Sequence, residues 1–355
     1  MNRLAVIIFL LIIILVCVFI SDVQIEPFET KKFNPQYLTT LETHSKSKNF
    51  PFRYFMDTNN KVIPLVAVTS FFRDDKAKKT YSEYVDNGIS IIGITAYKSF
   101  PKKIKDGSPD DYTGDQEFNY TGKIRNWLCC FDSPRDYGFT GFNNTINISE
   151  SDFYDAEDDS KTVAKKKYDV IYSCPDDDKK SCPDKGWNAI NRNFELAKKC
   201  FTIMIRDFGL NILVIGRTKC GLEKQYGDKI KTVDFLPWDQ FQQRLRESRM
   251  LFVPNIADAS PRVIAEAMTK DVPVLMNRKI MCGSKYVTGE SGELFTDETD
   301  VGVALQNLIN GGKFPRKWWS KNYSKKTSAT NLCNFVKNAF PDNFDDNLKE
   351  MYFIL

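Results

Sequence analysis

Apolar and polar positions change rhythm several times along the chain. Leu4–Ile20 (LAVIIFLLIIILVCVFI) is an unbroken apolar run of 17 residues. As a helix it spans about 25 Å, enough for a thin bilayer. Its exit, Val18-Phe19-Ile20-Ser21, has no A-x-A cleavage pattern, so residues 1–21 read as a retained signal anchor rather than a cleaved leader. Arg3 precedes the run and Asp22, Glu26 and Glu29 follow it, ahead of Lys31 and Lys32. That bias predicts a single-pass, type II chain with its body lumenal or extracytoplasmic and membrane contact through residues 4–20. Residues 22–55 are polar, with scattered Pro and Phe, and read as a stalk.

The next rhythm is short apolar runs. Val62–Thr69 and Ile89–Thr95 have the look of buried strands, and Ala77–Val85 between them that of a helix. Strand, helix, strand at this spacing predicts a βαβ unit on a parallel sheet. Residues 101–114 read as loop, and 115–148 show no clear period. Glu150–Lys167 (ESDFYDAEDDSKTVAKKK) is an acidic block followed by a basic one. It reads as a linker or solvated edge between a short first domain, 56–165, and a second, 166–312.

In the second domain the alternation is regular. Strands are expected at Tyr168–Ser173, Ile212–Ile215, Ile230–Leu236, Met250–Pro254 and Val272–Met276. Helices are expected at Asn188–Phe208, Asp239–Glu247, Ser260–Thr269 and Asp300–Leu308. Fully apolar strands alternating with helices predict a doubly wound parallel sheet covered on both faces, with ligands at the carboxyl ends of its strands. Residues 313–355 read as a helical tail.

Composition narrows the chemistry. The 355 residues are 42% hydrophobic and 27% charged with a net charge of +4, which excludes wholesale disorder and gives no sign of a nucleic-acid partner. The single histidine is His44. With His44 in a stalk, the folded body would hold none, and His-based triads, zinc sites and general bases become unattractive. Four N-x-[ST] sequons stand at Asn119, Asn143, Asn147 and Asn322. Cys17 aside, eight cysteines remain, and their spacing leaves disulfides and buried thiols equally open.

The richest segment is Met250–Met276, MLFVPNIADASPRVIAEAMTKDVPVLM. A strand ends at Pro254, Ser260 stands as N-cap, and Pro261 takes the first helical position. A helix N-terminus at the carboxyl edge of a parallel sheet favours an anion. Asp258 precedes the helix, and Glu266 lies eight positions further on, four after Arg262. Two readings stand: carboxylates serving a reacting centre and sugar hydroxyls, or a surface Arg262–Glu266 ion pair with a loop aspartate.

The stretch D-A-S-P-R-V-I-A-E-A-M followed by D-V-P-V-L resembles the Glu-x7-Glu segment of the retaining glycosyltransferases of family 4, also called group 1. The resemblance implies the glycosyltransferase B fold, two facing Rossmann-like domains. It also implies transfer of a sugar from a nucleotide-sugar co-substrate with retention and without an essential metal or cofactor. It places Asp258 near the transferred sugar, although Asp stands where Glu is usual, and Glu266 on the donor's ribose. Lys185-Gly186 resembles the family's Lys-Gly pair, whose lysine meets the diphosphate. Val214-Ile215-Gly216-Arg217 resembles the strand and turn lining the donor cleft, and Phe235-Leu236-Pro237 the segment beside the base. The family's Gly-Arg is missing, with Lys179 the nearest substitute. A departing diphosphate needs cations, and Lys185, Arg262 and the helix beginning at Ser260 supply them. The first domain, short for an acceptor-binding one, leaves the acceptor unnamed.

Two rivals remain. Asp176-Asp177-Asp178 after a strand formally fits a metal-binding D-x-D of the other glycosyltransferase fold. A catalytically inactive, membrane-tethered protein binding a glycan or a partner would keep the fold and explain the short first half. The anchor expectation is directly testable: the chain should stay with membranes after carbonate extraction and keep its N-terminus. Recovery of a mature form starting after residue 20 would contradict it.

Overall fold

The computed structural model describes residues 31–47, 49–95, 100–101, 114–130, 142, 144–156, 164–178, 180–258 and 261–354. The apolar run Leu4–Ile20 lies outside the described residues; among those described, no helix is long and apolar enough to cross a membrane. From Phe33 to Leu355 the chain forms one body built on two sheets.

The first sheet begins earlier than expected. Residues read as stalk form helix α1 (Leu38–Lys46) and strand β1 (Phe52–Met56). Leu41 of α1 is fully buried, and His44 Nδ1 meets the Tyr84 hydroxyl at 2.9 Å. The boundary is thus corrected to about residue 33, and the folded body does hold a histidine. The reason is a sparse apolar face: Tyr37, Leu38 and Leu41 are too few for a visible period but enough to cover one corner of the core.

Strands β2 (Val62–Val68) and β3 (Ser90–Ile94) flank helix α2 (Asp75–Asp86), as the βαβ reading expects. Asp74 caps α2 by accepting from the Ala77 amide at 2.8 Å. The stretch without a clear period holds the one-turn helix α3 (Tyr120–Lys123) and strands β4 (Asn126–Cys129) and β5 (Asn144–Asn147). Among the described residues, β2 to β5 lie parallel in chain order, with β1 antiparallel on the outer side of β2. Among the described residues this sheet shows no reversal of strand order.

The second sheet does reverse. Strand β6 (Tyr168–Ser173) is followed by helices α4 (Trp187–Asn191) and α5 (Phe194–Arg206), then strand β7 (Ile212–Ile215), helix α6 (Leu222–Tyr226) and strand β8 (Ile230–Val233). Helix α7 (Trp238–Arg246) returns the chain to the other side of β6, where strand β9 (Ser248–Val253), helix α8 (Arg262–Met268), strands β10 (Val274–Asn277) and β11 (Gly292–Phe295) and helix α9 (Val301–Ile309) follow. All six strands are parallel, in the order β8-β7-β6-β9-β10-β11, the 3-2-1-4-5-6 order of dinucleotide-binding sheets. Val170 and Tyr172 of β6 enter one core layer and Ile171 the other, so both faces are covered. The single helix expected over Asn188–Phe208 is broken, because Asn193 adopts a left-handed φ of 49° between α4 and α5.

The expected tail contains helices α10 (Pro315–Asn322) and α11 (Lys325–Ala339), but it does not end as a tail. Leu332, Cys333 and Val336 of α11 and the fully buried Met351 cover the face of the first sheet opposite α1 and α2. Strand β12 (Tyr352–Phe353) then pairs antiparallel with β1.

A second joint lies in the segment read as linker. Ser149 and Asp152 form a capping box around a 3-10 turn, Glu150–Phe153. Asp152, 2% exposed, accepts from the Tyr286 hydroxyl at 2.5 Å and pairs with Lys285 at 2.8 Å. Its backbone oxygen accepts from Ser328 of α11 at 2.6 Å. Acidic composition alone suggested solvation here; the ion pair and capping box explain the burial.

Because the C-terminal segment is part of the first core, Met351→Ala should lower stability by about 2–5 kcal/mol, the usual range for truncating a buried methionine. Lys349→Ala, two residues away and exposed, should stay within about 0.5 kcal/mol. Chemical denaturation of the two variants checks this.

Candidate functional site

A parallel sheet leaves a crevice where its strand order reverses, because the chain leaves neighbouring strands toward opposite faces. In the second sheet that point lies between β6 and β9. A cavity of about 480 Å³ opens there, lined by the strand ends Ser173, Ile215 and Val253 and by loop and helix residues beyond them.

The wall from β9 and α8 carries both acids of the motif. Asn255 and Asp258 come from the loop and Arg262, Val263 and Glu266 from α8. Helix α8 starts at Arg262, with Pro261 as its cap and Ser260 outside the described residues. The Ile264 amide donates to the Pro261 oxygen at 2.9 Å, closing a tight first turn. Ile264, Ala265, Ala267 and Met268 are buried. Glu266 is not on a solvated outer face: it is 7% exposed and accepts from the Trp238 indole N–H at 3.1 Å. The surface ion-pair reading of this helix loses its basis.

Tyr154, just past the joint, lines the same cavity. Its backbone oxygen accepts from the Trp319 indole at 2.8 Å, which fixes its position. Burial, and then the Glu266 carboxylate, raise the pKa of its hydroxyl against the opposing pull of Arg262. The opposite wall is Phe235-Leu236-Pro237-Trp238 and Phe241. Phe235 is 69% exposed and Trp238 64%, two large aromatic faces held at a cavity mouth, the kind of surface on which a planar heterocycle stacks.

Arg192 also lines the cavity; neither spacing nor resemblance singled it out. It follows α4 at the break before Asn193 and donates from Nη1 to Asp258 Oδ2 at 2.6 Å. A polar residue in a helix of apolar stripe was the one available signal. Asn255 Nδ2 lies 3.5 Å from the same carboxylate oxygen.

The structure therefore brings Asp258, Arg262 and Glu266 together and leaves Lys185, Gly216 and Arg217 outside the lining. Lys185 is exposed. Arg217, 0% exposed, donates from Nη2 to Asp177 at 2.7 Å and from Nε to the Cys174 sulfur at 3.0 Å, with its guanidinium 5.0 Å from the Phe194 ring centre. Gly216 has φ 85°, and a Cβ there would collide with the Cys174 carbonyl oxygen, so glycine is required for the close approach of two strand ends. Lys179 lies outside the described residues.

Asp177 also accepts the Asn188 and Ala189 amides at 2.6 and 3.0 Å, so it caps α4 from inside the protein. Asp178 accepts the Lys180 amide and the Ser181 hydroxyl at 2.9 and 2.7 Å. Asp177 and Asp178 are thus engaged by protein groups, which counts against the D-x-D rival. Among the described residues, no group of three His, Cys, Asp or Glu side chains is placed to hold a metal ion. Cys182 and Cys220 form a disulfide between the loops after β6 and β7. The other described cysteines, Cys129, Cys130, Cys174, Cys200, Cys282 and Cys333, are buried thiols.

No protein-family model and no curated protein matches this chain. Solved structures do. The pneumococcal O-GlcNAc transferase GtfA, in complex with UDP and GlcNAc, is similar over 77% of this chain and 56% of its own, at TM-score 0.51 and 11% identity. The lipopolysaccharide outer core galactosyltransferase WaaB, in its apo form, is similar over 77% and 75%, at 0.50 and 14%. The sucrose-phosphate synthase of Thermosynechococcus elongatus is similar over 90% and 80%, at 0.50 and 12%. This chain thus spans little more than half the length of the pneumococcal enzyme. At these identities the likeness is one of fold: two Rossmann-like α/β domains in the glycosyltransferase B arrangement.

Burial pushes the Asp177 carboxyl up, but the Asn188 and Ala189 amides and Arg217 together outweigh it and hold its pKa below the ordinary value. A depressed pKa contributes stability that is present above the ordinary carboxylate range and lost as pH falls through the folded value. Asp177→Ala should cost about 3–5 kcal/mol at neutral pH by stranding Arg217. In urea titrations between pH 5 and pH 2, the wild-type midpoint should fall further than that of Asp177→Asn; parallel curves would count against this pairing.

Proposed function

We propose that this chain is a membrane-anchored glycosyltransferase that moves a sugar from a nucleotide-sugar to an acceptor of unassigned class, with retention and without a metal. The observation that carries this reading is the placement of Asp258 and Glu266, eight residues apart, on one cavity wall at the strand-order reversal, facing two exposed aromatics. In this reading the base stacks at Phe235 and Trp238, and the ribose hydroxyls donate to Glu266. Arg262 faces the diphosphate, whose developing charge on departure calls for a cation. Asp258 stands where the transferred sugar would lie. The solved neighbours support the donor class: one is in complex with UDP, and two are named as sugar transferases.

A lumenal or extracytoplasmic body is supported by the Cys182–Cys220 disulfide, a bond that persists in oxidising compartments. Sequon residues Asn119, Asn147 and Asn322 are exposed, as acceptors of N-glycans need to be. Asn143 lies outside the described residues. The anchor rests on Leu4–Ile20 alone.

One observation favours the second reading, a binding protein without activity. Lys185, expected at the diphosphate, is exposed and outside the cavity lining. The two readings part on turnover. A ribose ligand acts in ground and transition state alike, so Glu266→Gln should weaken nucleoside and nucleoside diphosphate binding together, by about tenfold. Asp258→Asn should bind nucleotide no more weakly than wild type and lose donor hydrolysis or transfer by about a hundredfold or more. Nucleotide binding with no hydrolysis or transfer by the wild-type chain, over a panel of nucleotide-sugars, would establish the binding protein instead.

A further inference from the structure

The cavity holds a cation and an anion already locked together. Arg192 Nη1 and Asp258 Oδ2 lie 2.6 Å apart, with side chains 27% and 17% exposed. Both residues line the cavity. The pair is built rather than incidental. The amides of Ile256 and Ala257, in the loop carrying Asp258, donate to the Asn191 oxygen at 3.1 and 3.4 Å. The Tyr172 hydroxyl donates to the Arg192 oxygen at 3.3 Å. The end of α4 is therefore fixed to the β9–α8 loop through the Asn191 oxygen and to β6 through the Arg192 oxygen.

The guanidinium is nonetheless incompletely satisfied. Arg192 Nε is buried and has no hydrogen-bond partner. Guanidinium is a planar fork suited to two oxygens at once, and here one arm sits on a carboxylate while Nε waits. The buried arginine of this region, Arg217, is held by Asp177 and Cys174 and does not line the cavity. Lys185 does not line it either. A dianionic group entering the cavity thus meets Arg192 and Arg262, and Arg192 is the one engaged with the motif's first acid.

We infer that Arg192 is the diphosphate-binding cation of this site and Asp258 its resting counterion, so that donor binding hands the guanidinium from the carboxylate to phosphate oxygens. This rests on the reading of the cavity as a nucleotide-sugar site. The exchange has two consequences. With the site empty, Asp258 neutralises a cation that would otherwise be poorly solvated. With the site filled, Asp258 is released from the arginine beside the sugar, so its negative charge is presented to the reacting centre only when a diphosphate is present. Nucleotide affinity is correspondingly weakened by competition with an internal anion.

The test is calorimetric titration of the full chain with UDP, GDP and ADP and with the matching nucleosides, for wild type, Arg192→Gln, Asp258→Asn and the double variant. Whichever diphosphate binds wild type should bind Arg192→Gln at least about tenfold more weakly, with nucleoside affinity unchanged. Asp258→Asn should bind it severalfold more tightly, and that gain should vanish in the double variant. Equal loss of nucleoside and diphosphate affinity in Arg192→Gln, or no loss of either, overturns the assignment of Arg192. Unchanged or weaker diphosphate binding by Asp258→Asn overturns the hand-over. Should Arg192→Gln fail to fold, the comparison of Asp258→Asn with wild type decides alone. If no diphosphate binds wild type, the donor-site reading falls and this inference with it; if one binds and the variants match wild type, only the inference falls.

Discussion

Everything proposed for this molecule depends on the reversal of strand order between β6 and β9. Four other strands add outward from that pair, and at the carboxyl ends of β6 and β9 the chain leaves toward opposite faces of the sheet, so the crevice between them cannot be closed by the sheet itself. Into it the β9–α8 loop and α8 bring Asp258, Arg262 and Glu266, the break after α4 brings Arg192, and the turn before α7 brings Phe235 and Trp238. The first sheet has no such reversal among its described strands. Its contribution to the cavity is Tyr154, held by the Asp152 joint and by Trp319.

The two lobes are tied by chain as well as by contact. Among the described residues, the helices before the second lobe cover one face of the first sheet, and α11 with Met351 covers the other, with β12 extending the sheet beside β1. A chain that begins and completes the first core on either side of the second cannot have its C-terminal segment treated as an appendage. The same segment passes Asp152 through Ser328, so the joint that positions Tyr154 is supported by the element that finishes the first core.

What could be read from the residues alone follows from how local each signal is. The βα rhythm of the second domain is local: fully apolar strands and amphipathic helices repeat at short range from Tyr168 to Leu308, and Met250–Met276 carries the strand, loop and helix that form one cavity wall. The first lobe is non-local. Strands β1 and β12 mean little apart, since each is short and becomes a strand only by pairing with the other or with β2, and β4 and β5 lack a clear alternation. At the cavity, spacing left Asp258 and Glu266 open to two readings and the family resemblance singled them out, and both line it, whereas Arg192 reaches it only through the left-handed Asn193 that breaks the helix. Lys185 and Arg217 show the converse. Their local patterns invite a phosphate, but Asp177 already caps α4 and holds Arg217, a three-way arrangement that no linear pattern displays.

The most direct measurement is an experimental structure of the chain with a bound nucleoside diphosphate. The account predicts the base against Phe235 and Trp238, the ribose on Glu266, and the diphosphate on Arg192 and Arg262, with the Arg192–Asp258 contact opened. A nucleotide lying elsewhere, or one bound in this cavity with its phosphates away from both arginines, would contradict it.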